Sequence, residues 1–287
     1  MKAVYIILGQ SNAVGHGIPM REEDKILTPM KNVFGLDRTD NQSFDNERLI
    51  WKGYQSGGMN LGEEQDHTYS IPNCLATLWQ KEIDNGVSLP DLYIVQIAIG
   101  AQGITDGYMW NPNKSPCLHP GKLGEVDISL YPFTKRILSL LDESFDGDYE
   151  MIGLHWRGGE EDTQAPFPLV KDTLYKLYAS MISEFRKAVN KPLPITFHKI
   201  VCPDRMKAFD PNGENQCLEK MDFINQTFEK LSLDFENVSV FSPTLYPHYK
   251  EDTKGNGLFI EDFVHFTPEV NRWVAETTLK NYQKRHG

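Results

Sequence analysis

Cysteine is scarce and poorly spaced for any structural role. The four present, Cys74, Cys117, Cys202 and Cys217, form no CxxC pair and no other zinc spacing, so they read as free thiols of a reducing compartment. Cys117 and His119 offer two metal donors without partners at ligand spacing. Positive charge is short as well: 29 Lys and Arg stand against 40 Asp and Glu, for a net charge of −11. That balance disfavours nucleic acid and anionic membrane surfaces as partners. No apolar run approaches the roughly 20 residues of a membrane helix. The apolar opening is too short for a secretory leader and no small-residue cleavage site follows it, which makes the cytoplasm the expected setting. Between Gly9 and Gly17 there is neither the Gly-Lys-Ser/Thr of a phosphate loop nor the GxGxxG of a dinucleotide site. No linker or internal repeat divides the 287 residues, which read as one domain, 1–287.

What is present begins with Val4-Tyr5-Ile6-Ile7-Leu8, an apolar and largely β-branched run that stops at Gly9. It reads as a buried strand ending in a turn that exposes Ser11. Residues from about 18 to 68 show little periodicity and read as a long loop insertion. A regular alternation follows. Ser70 opens a helix with Ile71, Leu75, Leu78, Trp79 and Ile83 on one face, and Leu92 to Ile99 is a strand ending at Gly100. Asp127 caps a helix carrying Leu130, Phe133, Ile137, Leu140 and Leu141 inward. Tyr149 to Trp156 reads as a strand, and Leu174 to Val189 repeats apolar residues at helical spacing. Pro194 to Val201 and Asn237 to Phe241 are further strands, with a helix over Leu218 to Leu231 between them. Thr267-Pro268 starts the last helix, as an N-cap followed by proline at the first helical position. Five strands separated by helices imply an α/β fold: a three-layer sandwich, its five-stranded and mostly parallel sheet covered by helices on both faces.

In such sheets the sites lie at the carboxyl ends of strands. Ser11, Gly100 and Gly158-Gly159-Glu160 fall there, and Asp262-Phe263-Val264-His265 follows the fifth strand. A serine hydroxyl needs a base within reach before it is a nucleophile. His265 is the candidate base, and Asp262 the candidate group that fixes its tautomer. Each has a plainer reading, Ser11 as a helix cap and Asp262 as a surface acid near a helix start. Ile99-Gly100-Ala101-Gln102-Gly103 would let backbone N–H groups approach a developing oxyanion, or would simply turn the chain.

Gly9-Gln10-Ser11-Asn12, the glycine-rich stretch from Gly100 to Gly103 with Trp110 beyond it, Trp156-Arg157-Gly158-Gly159-Glu160-Glu161-Asp162, and the closing DxxH at Asp262 to His265 occur in one order along the chain. The combination resembles the SGNH hydrolase superfamily, in the branch of sialate O-acetylesterase-like proteins and family-6 carbohydrate esterases, the acetylxylan esterases. The resemblance implies a flavodoxin-like sandwich and a serine esterase acting on O-acetyl groups, with an acetylated carbohydrate or other small ester as its partner and no cofactor or metal. It makes Ser11 the nucleophile, His265 the base and Asp262 its orienter, with the backbone of Ser11 and Gly100 as the oxyanion hole. Gln10, Asn12, Gln102, Arg157 and Glu160 are the supporting candidates, Glu160 as a second candidate orienter. One position departs: Gly158 stands where that branch has glutamine. If the glutamine amide serves the oxyanion, then Arg157, His155, Asn12 or Gln102 must replace it. Two alternatives follow, a carbohydrate-binding relative that has lost catalysis, and a thioesterase or lipid esterase. Trp51, Tyr54, Tyr108 and Trp110 are the aromatics that would suit a sugar, unless they pack the core.

Overall fold

The computed structural model describes residues 1–18, 20–37, 48–57, 59–62, 68–113, 117–118, 127–251 and 253–286. The first strand, β1 (Lys2–Gly9), is buried from Ala3 onward. Its side chains divide between two cores. Val4, Ile6 and Leu8 face one, and Ala3, Tyr5 and Ile7 face the other. A strand apolar on both faces belongs in the middle of a parallel sheet, and β1 is there.

After the short turn α1 (Ser11–Val14) come three strands of three or four residues, β2 (Val33–Leu36), β3 (Trp51–Gly53) and β4 (Asn60–Gly62). Then follow α2 (Ile71–Asp84), β5 (Leu92–Ala98), the small pair β6 (Cys117–Leu118) and β7 (Asp127–Ile128), α3 (Leu130–Phe145), β8 (Tyr149–Arg157) and α4 (Phe167–Ala188). The chain closes with β9 (Ile195–His198), α5 (Pro203–Phe209), α6 (Cys217–Asp234), β10 (Val238–Phe241) and α7 (Pro268–His286). In the main sheet the order is β10-β9-β8-β1-β5-β2-β3, with β4 also pairing to β5. The five expected strands form its continuous parallel part.

The expected count of five is corrected to eight strands in that sheet among the described residues. The additions come from the stretch read as a loop. β2 and β4 add parallel to β5, and β3 pairs antiparallel to β2. Each carries a glycine and is too short to show a two-residue alternation, which is why the sequence hid them. Residues 19, 38–47, 58 and 63–67 of that stretch lie outside the described residues.

Helices α3, α4 and α6 share the core of Val4, Ile6 and Leu8, while α2 and α7 share that of Tyr5 and Ile7. The two helical layers therefore cover opposite faces. Ser70 and Thr267 cap as expected: Ser70 Oγ accepts from the Asn73 N–H at 3.5 Å and Thr267 Oγ1 from the Val270 N–H at 3.4 Å. Asp127 does not cap α3; it pairs in β7, and Ser129 precedes the helix. Helix α5 has no counterpart among the expected elements.

Cys74, Cys202 and Cys217 are buried free thiols. The Cys117 side chain and His119 lie outside the described residues. Among the described residues no three His, Cys, Asp or Glu side chains gather as a metal would require, and no helix is long and apolar enough to cross a membrane.

Candidate active site

Strand order sets the location of the site. β1 has β5 on one side and β8 on the other, so the connections diverge at its carboxyl end and leave a crevice there. Gly9 makes the turn into that crevice with φ of 139°, and a Cβ in its place would stand 2.0 Å from the Arg157 carbonyl oxygen. No residue but glycine fits such an approach. The next N–H, of Gln10, donates to that same carbonyl at 2.9 Å, which ties the turn to β8. Ser11 then opens α1, with 8% of its surface exposed.

The candidate base, His265, arrives on a turn that Asp262 holds. Asp262 Oδ1 accepts the backbone N–H groups of Val264 and His265, each at 3.0 Å. Oδ2 meets His265 Nδ1 at 2.5 Å. Burial pushes the Asp262 pKa up, but the two amides and the imidazole outweigh it, and the net shift is downward. An ionised carboxylate at Nδ1 places the imidazole proton there and leaves Nε2 as a lone-pair acceptor.

Asn12 joins the two ends. Its Nδ2 donates to the Val264 carbonyl at 2.9 Å and to Glu160 Oε1 at 3.1 Å, and its Oδ1 accepts the Phe266 N–H at 3.2 Å. The residues on both sides of His265 are thus fastened to the side chain that follows Ser11. Ser11 and His265 line one cleft of about 320 Å³, together with Gln10, His16, Gly100, Ala101, Glu160, Glu161, Arg205, Phe209 and Val264.

Gly100 leads a loop that a buried carboxylate fastens. Asp162, fully buried, accepts the Ile104 N–H at 3.0 Å, the Thr105 N–H at 2.8 Å and the Thr105 hydroxyl at 2.7 Å. Burial raises its pKa against the pull of these donors. Gln102 braces the same loop by accepting the Met109 N–H at 3.0 Å.

The structure thus brings Ser11, His265, Gly100, Gln10 and Glu160 to one cleft, with Asp262 bonded to the ring of His265. Glu160 contacts Asn12 rather than His265, so Asp262 is the acid that holds the imidazole. None of the proposed stand-ins for a glutamine at position 158 lines the cleft. Asn12 and Gln102 are spent on the contacts above. Leu154 and Trp156 point into one core, so strand alternation sends His155 and Arg157 to the opposite face. There His155 meets His198 at 3.0 Å, and Arg157 lies 4.2 Å from the centre of the Phe266 ring. Position 158 itself faces the Trp156 indole, 3.3 Å from where a Cβ would be.

The aromatics read as sugar platforms are mostly structural. Trp110 is fully buried and donates to the Gly9 carbonyl at 3.0 Å. Tyr54 is buried against Asn73, and Trp51 stacks on Phe145. Tyr108 is half-buried and donates to the Glu161 carbonyl. Sequence reasoning passed over three cleft residues. His16, its ring 5.3 Å from that of His265, had a signal, being a polar residue on the turn right after Ser11. Arg205 and Phe209 ride on the unanticipated α5.

No family model matches the sequence, and no curated protein matches it. Solved structures do. NanS aligns over 99% of this chain and 98% of its own at 13% identity, with a TM-score of 0.64. A protein from Arabidopsis thaliana aligns over 98% of each chain at 16% identity, with a TM-score of 0.58. The chain shares the fold of these two structures. Within that fold the carboxyl end of β1 carries Ser11, and the segment leading into α7 carries Asp262 and His265.

Proposed function

We propose that this protein is a serine ester hydrolase that removes O-acetyl groups from a carbohydrate. One observation carries the chemistry: Ser11 and His265 line the same cleft while Asp262 holds Nδ1 of the imidazole. Ser11 Oγ attacks the ester carbonyl carbon as His265 Nε2 takes its proton. The N–H of Ser11, left over at the start of α1, and the backbone at Gly100 face the resulting oxyanion. Collapse expels the sugar hydroxyl, which receives the proton from His265, and leaves an acetyl-Ser11 ester. Water then gives its proton to His265 and attacks that ester, and collapse releases acetate as His265 returns the proton to Ser11 Oγ.

The acetyl and carbohydrate parts of the reading rest on the motifs at Gly9 to Asn12, Gly100 to Gly103, Trp156 to Asp162 and Asp262 to His265. The test is acetate release from acetylated sugars and p-nitrophenyl acetate by the wild type and by Ser11→Ala. Equal rates overturn the proposal. Gly158 favours one second reading, a carbohydrate-binding relative without turnover. Rapid labelling of Ser11 by a fluorophosphonate probe decides against it. A preference for long-chain p-nitrophenyl esters would move the substrate to lipids or thioesters.

A further inference from the structure

We infer that Asn12 is a positioning residue, which sets His265 against Ser11, and that Glu160 and Arg157 hold Asn12 in that role; the inference rests on the serine-hydrolase reading. The Asn12 side chain is 3% exposed and spans 252 residues of sequence to reach Val264 and 254 to reach Phe266. It needs a donor on one arm and an acceptor on the other, so Asp or Leu at that position cannot make both contacts, and Ser, whose hydroxyl can donate and accept, has only one shorter arm to do both. The orientation of the amide is fixed by its surroundings. Two acceptors, the Val264 carbonyl and Glu160 Oε1, face one end, and an N–H donor faces the other.

The contacts close into a ring. Glu160 receives Asn12, and Arg157 and Glu160 interact by charge: burial lowers the arginine's pKa to about 10, and the glutamate acts against that shift. Arg157 in turn stacks on Phe266, whose N–H Asn12 accepts. Neither terminal nitrogen of Arg157 nor Oε2 of Glu160 has a hydrogen-bond partner among the described residues, so these two act on the ring by charge and stacking.

The His265 turn does not depend on Asn12 for its own shape. The Ile260 N–H donates to the His265 carbonyl at 2.9 Å, the Thr267 N–H to the Leu258 carbonyl at 2.9 Å, and Phe259 bridges to Phe266. What Asn12 supplies is the placement of that preformed turn on the helix bearing the nucleophile. A misplacement of about 1 Å between reacting groups costs on the order of 10²-fold in rate.

The experiment compares Asn12→Asp, Glu160→Gln and the double variant with p-nitrophenyl acetate, following kcat and KM separately, and labels Ser11 with a fluorophosphonate. Asn12→Asp sets an acceptor against two acceptors. It should lower kcat by about 10²-fold while KM stays within about twofold, and labelling should slow in step. Glu160→Gln keeps an acceptor oxygen and should cost about tenfold or less. In the double variant the new amide at position 160 can donate to the new carboxylate at position 12, and about tenfold of the loss should return. A kcat for Asn12→Asp within twofold of wild type overturns the inference, as does a double variant no faster than Asn12→Asp. If Asn12→Asp fails to fold by circular dichroism, Asn12→Ser stands in, with the same kcat loss expected. Ser11→Ala in the same assay separates the two levels: an active Ser11→Ala sinks the hydrolase reading, whereas an inactive one beside an unimpaired Asn12→Asp sinks only this inference.

Discussion

Gly103 lies against Asp162 so closely that a methyl group at position 103 would stand 2.4 Å from Oδ1. The carboxylate occupies that space because it receives the amides of Ile104 and Thr105. Gly103→Ala must therefore push Asp162 away or shift the loop that begins at Gly100. Overpacking of this kind typically costs about 1–3 kcal/mol, to be read from the urea midpoint. The same variant should lose kcat more than KM, since the loop carries the proposed oxyanion backbone. A variant with unchanged midpoint and kcat would mean the loop is not held this way.

The choice between two acids is open to kinetics. Asp262→Asn removes the carboxylate that orders the His265 ring and should lower kcat by about 10²–10⁴-fold. Glu160→Gln, one contact further away, should cost far less. Steady-state rates with p-nitrophenyl acetate check the order, and the reverse order would give the orienting role to Glu160.

Acid should weaken the fold through two buried imidazoles. His155 is held neutral, its pKa lowered to about 3 by burial and then by the Arg157 charge, and His198 is shifted the same way by burial, Arg157 and His155. Unfolded, each titrates near its ordinary value of about 6.5. Above that pH neither state is protonated and the pair costs nothing. As pH falls below it the unfolded chain gains protons that the folded chain cannot, so stability drops. At pH 5 the His155 contribution is about 2 kcal/mol. Urea titrations between pH 7 and 5 should show this slope, and His155→Phe should flatten it.

Arg205 lines the cleft from α5 and lies 4.3 Å from the Phe209 ring centre. Arg205→Ala should raise KM for acetylated sugars several-fold and leave p-nitrophenyl acetate nearly unaffected, since only the larger substrate reaches that wall. Equal effects on both substrates would place Arg205 in the chemistry instead.

The sequence was most legible where one signal dominated. Val4 to Leu8 reads as a buried strand, and Thr267-Pro268 as a helix start, and both hold. The carboxyl-edge rule alone then brings Ser11, Gly100 and His265 to one place. Short elements were opaque: Val33–Leu36 and Asn60–Gly62 are strands because β5 offers them an edge, not because their residues insist. Arg157 and His155 were misjudged by proximity along the chain. Their alternation with Leu154 and Trp156 already implied the opposite face. The work of Asn12 was invisible for another reason: no local pattern reveals a partner more than 250 residues away.

That long reach has a consequence for the chain as it is made. Ser11 is synthesised more than 250 residues ahead of His265, because the DxxH turn lies beyond β10. If His265 is the base, a chain cut anywhere before Asp262 should be inactive however well its sheet forms, since its Ser11 would have no imidazole to take the proton. On the proposed chemistry, Ser11 therefore stays unactivated until the turn from Asp262 to His265 has docked beside it.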